Sequence, residues 1–233
     1  DLGDKQGAKE LAERVLVIIE KAYGPDDPKV AIALSNLGSV LEDLGDLNGA
    51  KDQFEQALII NGKAYGPCHP NVAVSLANLG TVLKDLGDFI GAKQQMERAL
   101  KIIEKAYGPH HPKVADLLSN LGSVFLALDD LKSAKSLAER ALEIHEKAYK
   151  ADHPVIARDL SNLGTVLYAL HDFSRAKERI ERALEIAEKA YGADHPNVAI
   201  HLNNLGMVLK DLGDLTSAKE RIERALQIDE KAY

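Results

Sequence analysis

Along residues 26–65, apolar and polar positions follow a helical rhythm that is broken once. Val30, Leu34, Leu37, Leu41 and Leu44 succeed one another at spacings of four, three, four and three, which is one apolar stripe of an amphipathic helix. Asp27-Pro28 opens that helix, because the N–H that Pro lacks would be unpaired in the first turn anyway. Gly45-Asp46 stops it and starts another, Gly suiting a helix C-terminus and Asp an N-cap. The second stripe runs through Leu47, Ala50, Phe54, Ala57, Leu58 and Tyr65. Lys63 sits in its last turn, where a cation complements the helix dipole, and Gly66-Pro67 ends it. The unit is an αα-hairpin with a short turn.

The pattern recurs every 42 residues, its Lys-Ala-Tyr ending falling at Tyr23, Tyr65, Tyr107, Tyr149, Tyr191 and Tyr233. A fixed period of this size signals a stacked array in which each unit touches mainly its neighbours. We therefore expect one array over residues 1–233: a half repeat at 1–23 and whole repeats at 24–65, 66–107, 108–149, 150–191 and 192–233. First helices are predicted near 28–43, 70–85, 112–127, 154–169 and 196–211. Second helices are predicted near 4–22, 46–64, 88–106, 130–148, 172–190 and 214–232, eleven helices in all. The chain starts in mid-repeat without Met, so a piece of a longer array is expected.

Small residues set how closely the helices approach. Gly38, Gly80, Gly122, Gly164 and Gly206 flank the leucine stripe, and Ala50, Ala92, Ala134, Ala176 and Ala218 face them from the second helix. Phe54, Met96, Ala138, Ile180 and Ile222 fill one core site with different volumes; Ala138 is the smallest, and Phe125 in the same repeat replaces a leucine.

Leu34, Leu37-Gly38 and Leu41, followed by Ala50, Phe54 and Ala57, resemble in type and spacing the signature of the tetratricopeptide repeat. The longer unit, ERALEIAEKAYGADHPNVAIHLNNLG at 181–206, is similar to the 42-residue variety of kinesin light chains and long bacterial arrays. The resemblance covers the whole chain. It implies an all-α fold, a right-handed superhelical solenoid of antiparallel helix pairs (5.5 repeats, 11 helices). It also implies that first helices line a concave groove where peptides or protein segments bind. The function expected is a non-catalytic protein–protein interaction scaffold.

On the face opposite the leucine stripe, small residues form most of the groove floor. The candidate ligand residues are Asp116, Ser119, Ser123 and Leu126 in the third whole repeat, and Arg158, Ser161, Thr165 and Tyr168 in the fourth. Asn203, Met207 and Lys210 follow in the fifth. Leu126 and Tyr168 are apolar where other copies carry Glu42, Lys84 and Lys210, which reads either as an anchor for an apolar side chain of the ligand or as drift on a solvated face. An Asn is present in every copy, at Asn36, Asn78, Asn120, Asn162 and Asn204, on the margin between groove and next repeat. Its amide suits pairing with a neighbour's backbone or with a ligand.

The net charge of −7 argues against binding nucleic acid, which needs clustered Lys and Arg. No apolar run is long enough for a membrane span, and no signal peptide is expected. The single Cys68 excludes an internal disulfide framework and favours a reducing, cytoplasmic setting. His69, His111, His153 and His195 form a row at the repeat period and do not converge, so no metal or other cofactor is expected. Cys68-His69 has no third partner at readable spacing, and no catalytic residue is expected. The leading helix carries Val15 and Val17-Ile18-Ile19 and is more apolar than its copies, while the last helix has no solvating helix after it. The alternative function is therefore a structural rod that self-associates end to end.

Overall fold

In the computed structural model, residues 2–232 are described, with the side chains of residues 5–231. Among the described residues the chain is eleven α-helices without a strand. They are α1 (Leu2–Tyr23), α2 (Pro28–Asp43), α3 (Leu47–Tyr65), α4 (Pro70–Asp85), α5 (Phe89–Tyr107), α6 (Pro112–Ala127), α7 (Leu131–Ala148), α8 (Pro154–Ala169), α9 (Phe173–Tyr191), α10 (Pro196–Asp211) and α11 (Leu215–Ala232). Even-numbered helices are the first helices of their repeats and have the predicted bounds. Most second helices start one residue later than predicted, because Asp46 and its copies stand outside the helix as N-caps.

The chain forms two compact units, Asp1–His110 with α1 to α5 and His111–Tyr233 with α6 to α11. Within each, helices pack in sequence order, and first helices also touch their neighbours: α2 with α4 in one unit, α6 with α8 and α8 with α10 in the other. In the first unit, Val30, Ala31, Leu34, Ala57 and Ile60 form a core cluster joined by Leu16 and Ile19 of α1. In the second, one cluster extends from Ala138 to Ile228.

Close approach is secured where first-helix glycines meet the variable core site. A Cβ built on Gly38 would lie 2.6 Å from the Phe54 ring, and one on Gly164 would lie 2.5 Å from Ile180 Cγ1. Gly122 differs. Its partner is Ala138, and a Cβ there would meet only Ala134 O and Leu137 Cβ, each at 3.7 Å.

The turns within repeats need a left-handed residue after the first helix. Gly45, Gly87 and Gly213 supply it, but Asp129 (φ 59°) and His171 (φ 60°) take the same conformation with a side chain. At the end of α7, Lys150 stands where other repeats have Gly66, Gly108 and Gly192; the helix stops at Ala148 and Tyr149 is extended.

The first helices carry a cap that the sequence did not reveal. Asp27 accepts the Lys29 N–H at 2.8 Å in α2. In the later copies histidine does this work through Nδ1. His69 accepts from Asn71, His111 from Lys113, His153 from Val155 and His195 from Asn197, at 3.1, 3.2, 3.3 and 3.1 Å. The rings of His69, His153 and His195 also stack on the tyrosine four residues earlier, Tyr65, Tyr149 and Tyr191.

Candidate functional site

Neighbouring first helices leave a cavity between them in each unit. Between α2 and α4 it measures about 310 Å³, between α8 and α10 about 400 Å³. The two are built from the same register positions, 126 residues apart. Pro28, Asn36, Tyr65, Asn71, Val74 and Asn78 line one; Pro154, Asn162, Tyr191, Asn197, Ile200 and Asn204 line the other. Val74 and Ile200 are exposed apolar side chains on these walls. Three of their shared positions differ: Ile32 of the first becomes Arg158, Ser75 becomes His201 and Val74 becomes Ile200. One is therefore neutral and apolar-edged, and the other carries a cation and an imidazole.

Beneath the groove, one position on each second helix and one on the first helix that follows both vary from copy to copy. On second helices the column reads Ile19, Asn61, Ile103, His145, Ala187 and Asp229; on the first helices that follow, Ala33, Ser75, Leu117, Asp159 and His201. In the first unit Asn61 Nδ2 donates to Ser75 Oγ at 2.9 Å. In the second, His145 Nδ1 lies 2.5 Å from Asp159 Oδ2, with the two side chains 1% and 0% exposed. Ser119 Oγ donates to Asp159 Oδ1 at 2.9 Å, and Arg158 reaches the same oxygen at 3.4 Å while pairing with Asp116 at 2.9 Å. Burial works against the Arg158 charge, but the Asp116 and Asp159 carboxylates outweigh it and raise its pKa. Serine, histidine and aspartate are all present, yet the connectivity is not that of a nucleophile. The serine donates to the aspartate rather than to the imidazole, so no base takes its proton. These groups join α6, α7 and α8. At the next junction Ala187 offers nothing to His201, whose Nδ1 is buried without a partner and whose pKa is lowered by burial.

The expected groove residues divide into three sets. Asp116, Ser123, Arg158, Asn203, Met207 and Lys210 are exposed. Leu126, Thr165 and Tyr168 are half-buried, and Thr165 bonds to Ser161 O. Ser119 and Ser161 are buried, not open groove floor. Ser119 is bound to Asp159, and Ser161 Oγ accepts from Asn204 Nδ2 at 3.1 Å. Arg158 and Asp116 are brought together as a pair across repeats. Tyr168 is tied down, its ring against Phe173 and its hydroxyl donating to Asp211 at 2.5 Å. That bond, then burial, holds its phenol above the usual value. Of the repeated asparagines, Asn36 and Asn78 line one pocket and Asn162 and Asn204 the other, while Asn120 is exposed. At the far end of the first unit's groove, burial first, then Asp85 and Asp43, raise the pKa of Glu42.

Sequence reading passed over His145, Asp159 and His201. Their signal was present as two columns of the repeat, polar on both helices at His145 and Asp159 and on one alone at His201. Among the described residues, no group of three or more His, Cys, Asp or Glu side chains is placed to hold a metal, and no helix is long and apolar enough to cross a membrane.

The fold has close counterparts. The crystal structure of BtubC (BKLC) from P. vanneervenii superposes with a TM-score of 0.73 at 24% identity, covering 99% of this chain and 90% of that one. A putative kinesin light chain of nearly identical TPR-like repeats from Podosopora anserina gives 0.70 at 21%, covering 88% and 98%. A variant of that protein with one Gln replaced by Met gives 0.72 at 21%, covering 88% and 97%. Among curated proteins no relative matches. The tetratricopeptide repeat family matches over residues 1–61, 50–105, 71–147, 134–189 and 160–231, which together span nearly the whole chain. Repeated helix pairs with small residues at their crossings, matched along their length by this family, make the chain a member of the tetratricopeptide repeat family.

Proposed function

We propose that this chain is an interaction scaffold that holds an extended segment of a partner protein along its first helices. Side chains of such a segment enter the α2–α4 pocket in one unit or the α8–α10 pocket in the other. The recurrence of one pocket, built from nine shared register positions in both units, carries this reading. The pockets combine apolar walls with convergent amides, the usual make-up of a binding site. Tyr168, engaged with Asp211 and Phe173, is a poorer anchor than Ile200, which is exposed on a pocket wall. Peptides selected from a displayed library on the parent chain are expected to lose at least about tenfold in affinity on Ile200→Arg. Tyr168→Ala and Leu126→Glu should change affinity less than about threefold, as contacts outside a hot spot do. Undiminished binding by Ile200→Arg would sink the pocket reading.

The exposed face of α11 favours a second reading, self-association. Ile222 and Leu226 are 42% and 56% exposed, whereas their copies Ile180 and Leu184 in α9, which α10 covers, are 1% and 7% exposed. On α1, Leu11, Val15 and Ile18 are exposed as well. Light scattering over a concentration series should then show reversible association that Leu226→Lys abolishes. Monomers throughout would remove this reading.

A further inference from the structure

We propose that the four histidine N-caps make the starts of α4, α6, α8 and α10 proton-labile, so that acid loosens the helix starts on which the groove's pocket rims are built. A backbone N–H can only donate. The bonds from Asn71, Lys113, Val155 and Asn197 therefore fix Nδ1 of each imidazole as the acceptor and place the ring proton on Nε2. The amide and a second proton compete for one lone pair. An imidazolium has no acceptor left, and it sets a positive charge at a helix N-terminus, against the dipole. Helix α2 is capped by a carboxylate, Asp27, in place of an imidazole.

The caps of α4, α8 and α10 border the pockets, and Val155, which His153 caps, lines the second. Asn71 and Asn197, whose amides are capped, line the two pockets, and so do Tyr65 and Tyr191, on which the His69 and His195 rings stack. The titratable neighbours differ from cap to cap. Tyr65 of α3 and Cys68 adjoin His69, and His110 adjoins His111. Tyr149, which also meets His145, and Asp152 adjoin His153. Tyr191 of α9 and Asp194, paired with Lys231 of α11, adjoin His195. The consequence for ligand binding rests on the groove reading above; the cap chemistry stands without it.

The test uses no ligand, so its failure is distinct from a failure to bind peptide. Amide hydrogen exchange is measured at about pH 7.5 and about pH 5.5, on either side of the range where imidazoles titrate, and corrected for the intrinsic effect of pH. Relative to Lys29 under Asp27, the amides of Asn71, Lys113, Val155 and Asn197 should exchange about fivefold faster in acid, the factor for a cap of ordinary strength. The variant H69D/H111D/H153D/H195D gives each start the residue that α2 already has, and its four amides should track Lys29. His145 and His201 remain in that variant. Burial depresses the His201 pKa, so stability through that group is present at higher pH and lost as pH falls, and any such loss persists as a common background. The proposal is overturned if the four parent amides track Lys29, if the variant keeps the acid response, or if imidazole nitrogen shifts show Nδ1–H tautomers at neutral pH.

Discussion

Asp159→Ala is expected to cost the second unit about 3 kcal/mol in denaturant unfolding, because it leaves buried hydrogen-bonding groups without a partner. The change removes the acceptor of His145 and Ser119 and one carboxylate beside Arg158, at a site closed to water. His145→Ala should cost a similar amount, because it leaves the Asp159 carboxylate short of a donor. The pair is replaceable as a unit. The copies of these two positions one repeat earlier are Ile103 and Leu117, both buried. The double variant H145I/D159L should therefore return to within about 1 kcal/mol of the parent, since replacing both partners of a buried hydrogen bond by apolar groups can be nearly neutral. Ser119 can then bond to its own helix, as Ser35 does to Ala31 O. A double variant as unstable as the sum of the singles would show that the polar junction is specific to its surroundings, and would overturn this account.

The same substitution at two copies of one position should have opposite signs. Gly122→Ala is expected to stabilise by about 1 kcal/mol, because it removes a glycine from a helix interior. Its new methyl would meet neighbours no nearer than 3.7 Å. Gly164→Ala should destabilise by about 1–3 kcal/mol. There the methyl would fall 2.5 Å from Ile180 Cγ1 and 3.4 Å from Ala176 O, and Ile180 is fully buried with nowhere to retreat. Thermal melts of the two variants decide it. Equal shifts would mean that the residue opposite, Ala138 or Ile180, does not control the helix approach.

Helix starts and stops were legible because punctuation and stripe agree at every repeat. Pro at the first turn, Gly or a left-handed substitute at the turn, and leucines three and four apart set bounds that the first helices keep. The exposed margins Asp116, Arg158 and Lys210 were legible by angle alone. Ser119 and Ser161 were not. Helical angle places them on the groove side, but the neighbouring first helix stands close enough to bury both. Angle describes one helix, and burial depends on two.

The sequence by itself determined the repeat, the alternation of first and second helices, the small-residue crossings and the family, since each follows from spacings within one 42-residue unit. Tertiary structure alone decided what the variable positions do. His145 and Asp159 are two ordinary polar residues until stacking buries them against each other, and His201 becomes an orphan because its neighbour is Ala187. The four histidines preceding Pro appear in sequence as a row of separate residues; only the backbone geometry makes them caps. Spacing fixes which residues share a face, but the pairing of polar groups depends on distances across helices, which no single helix contains.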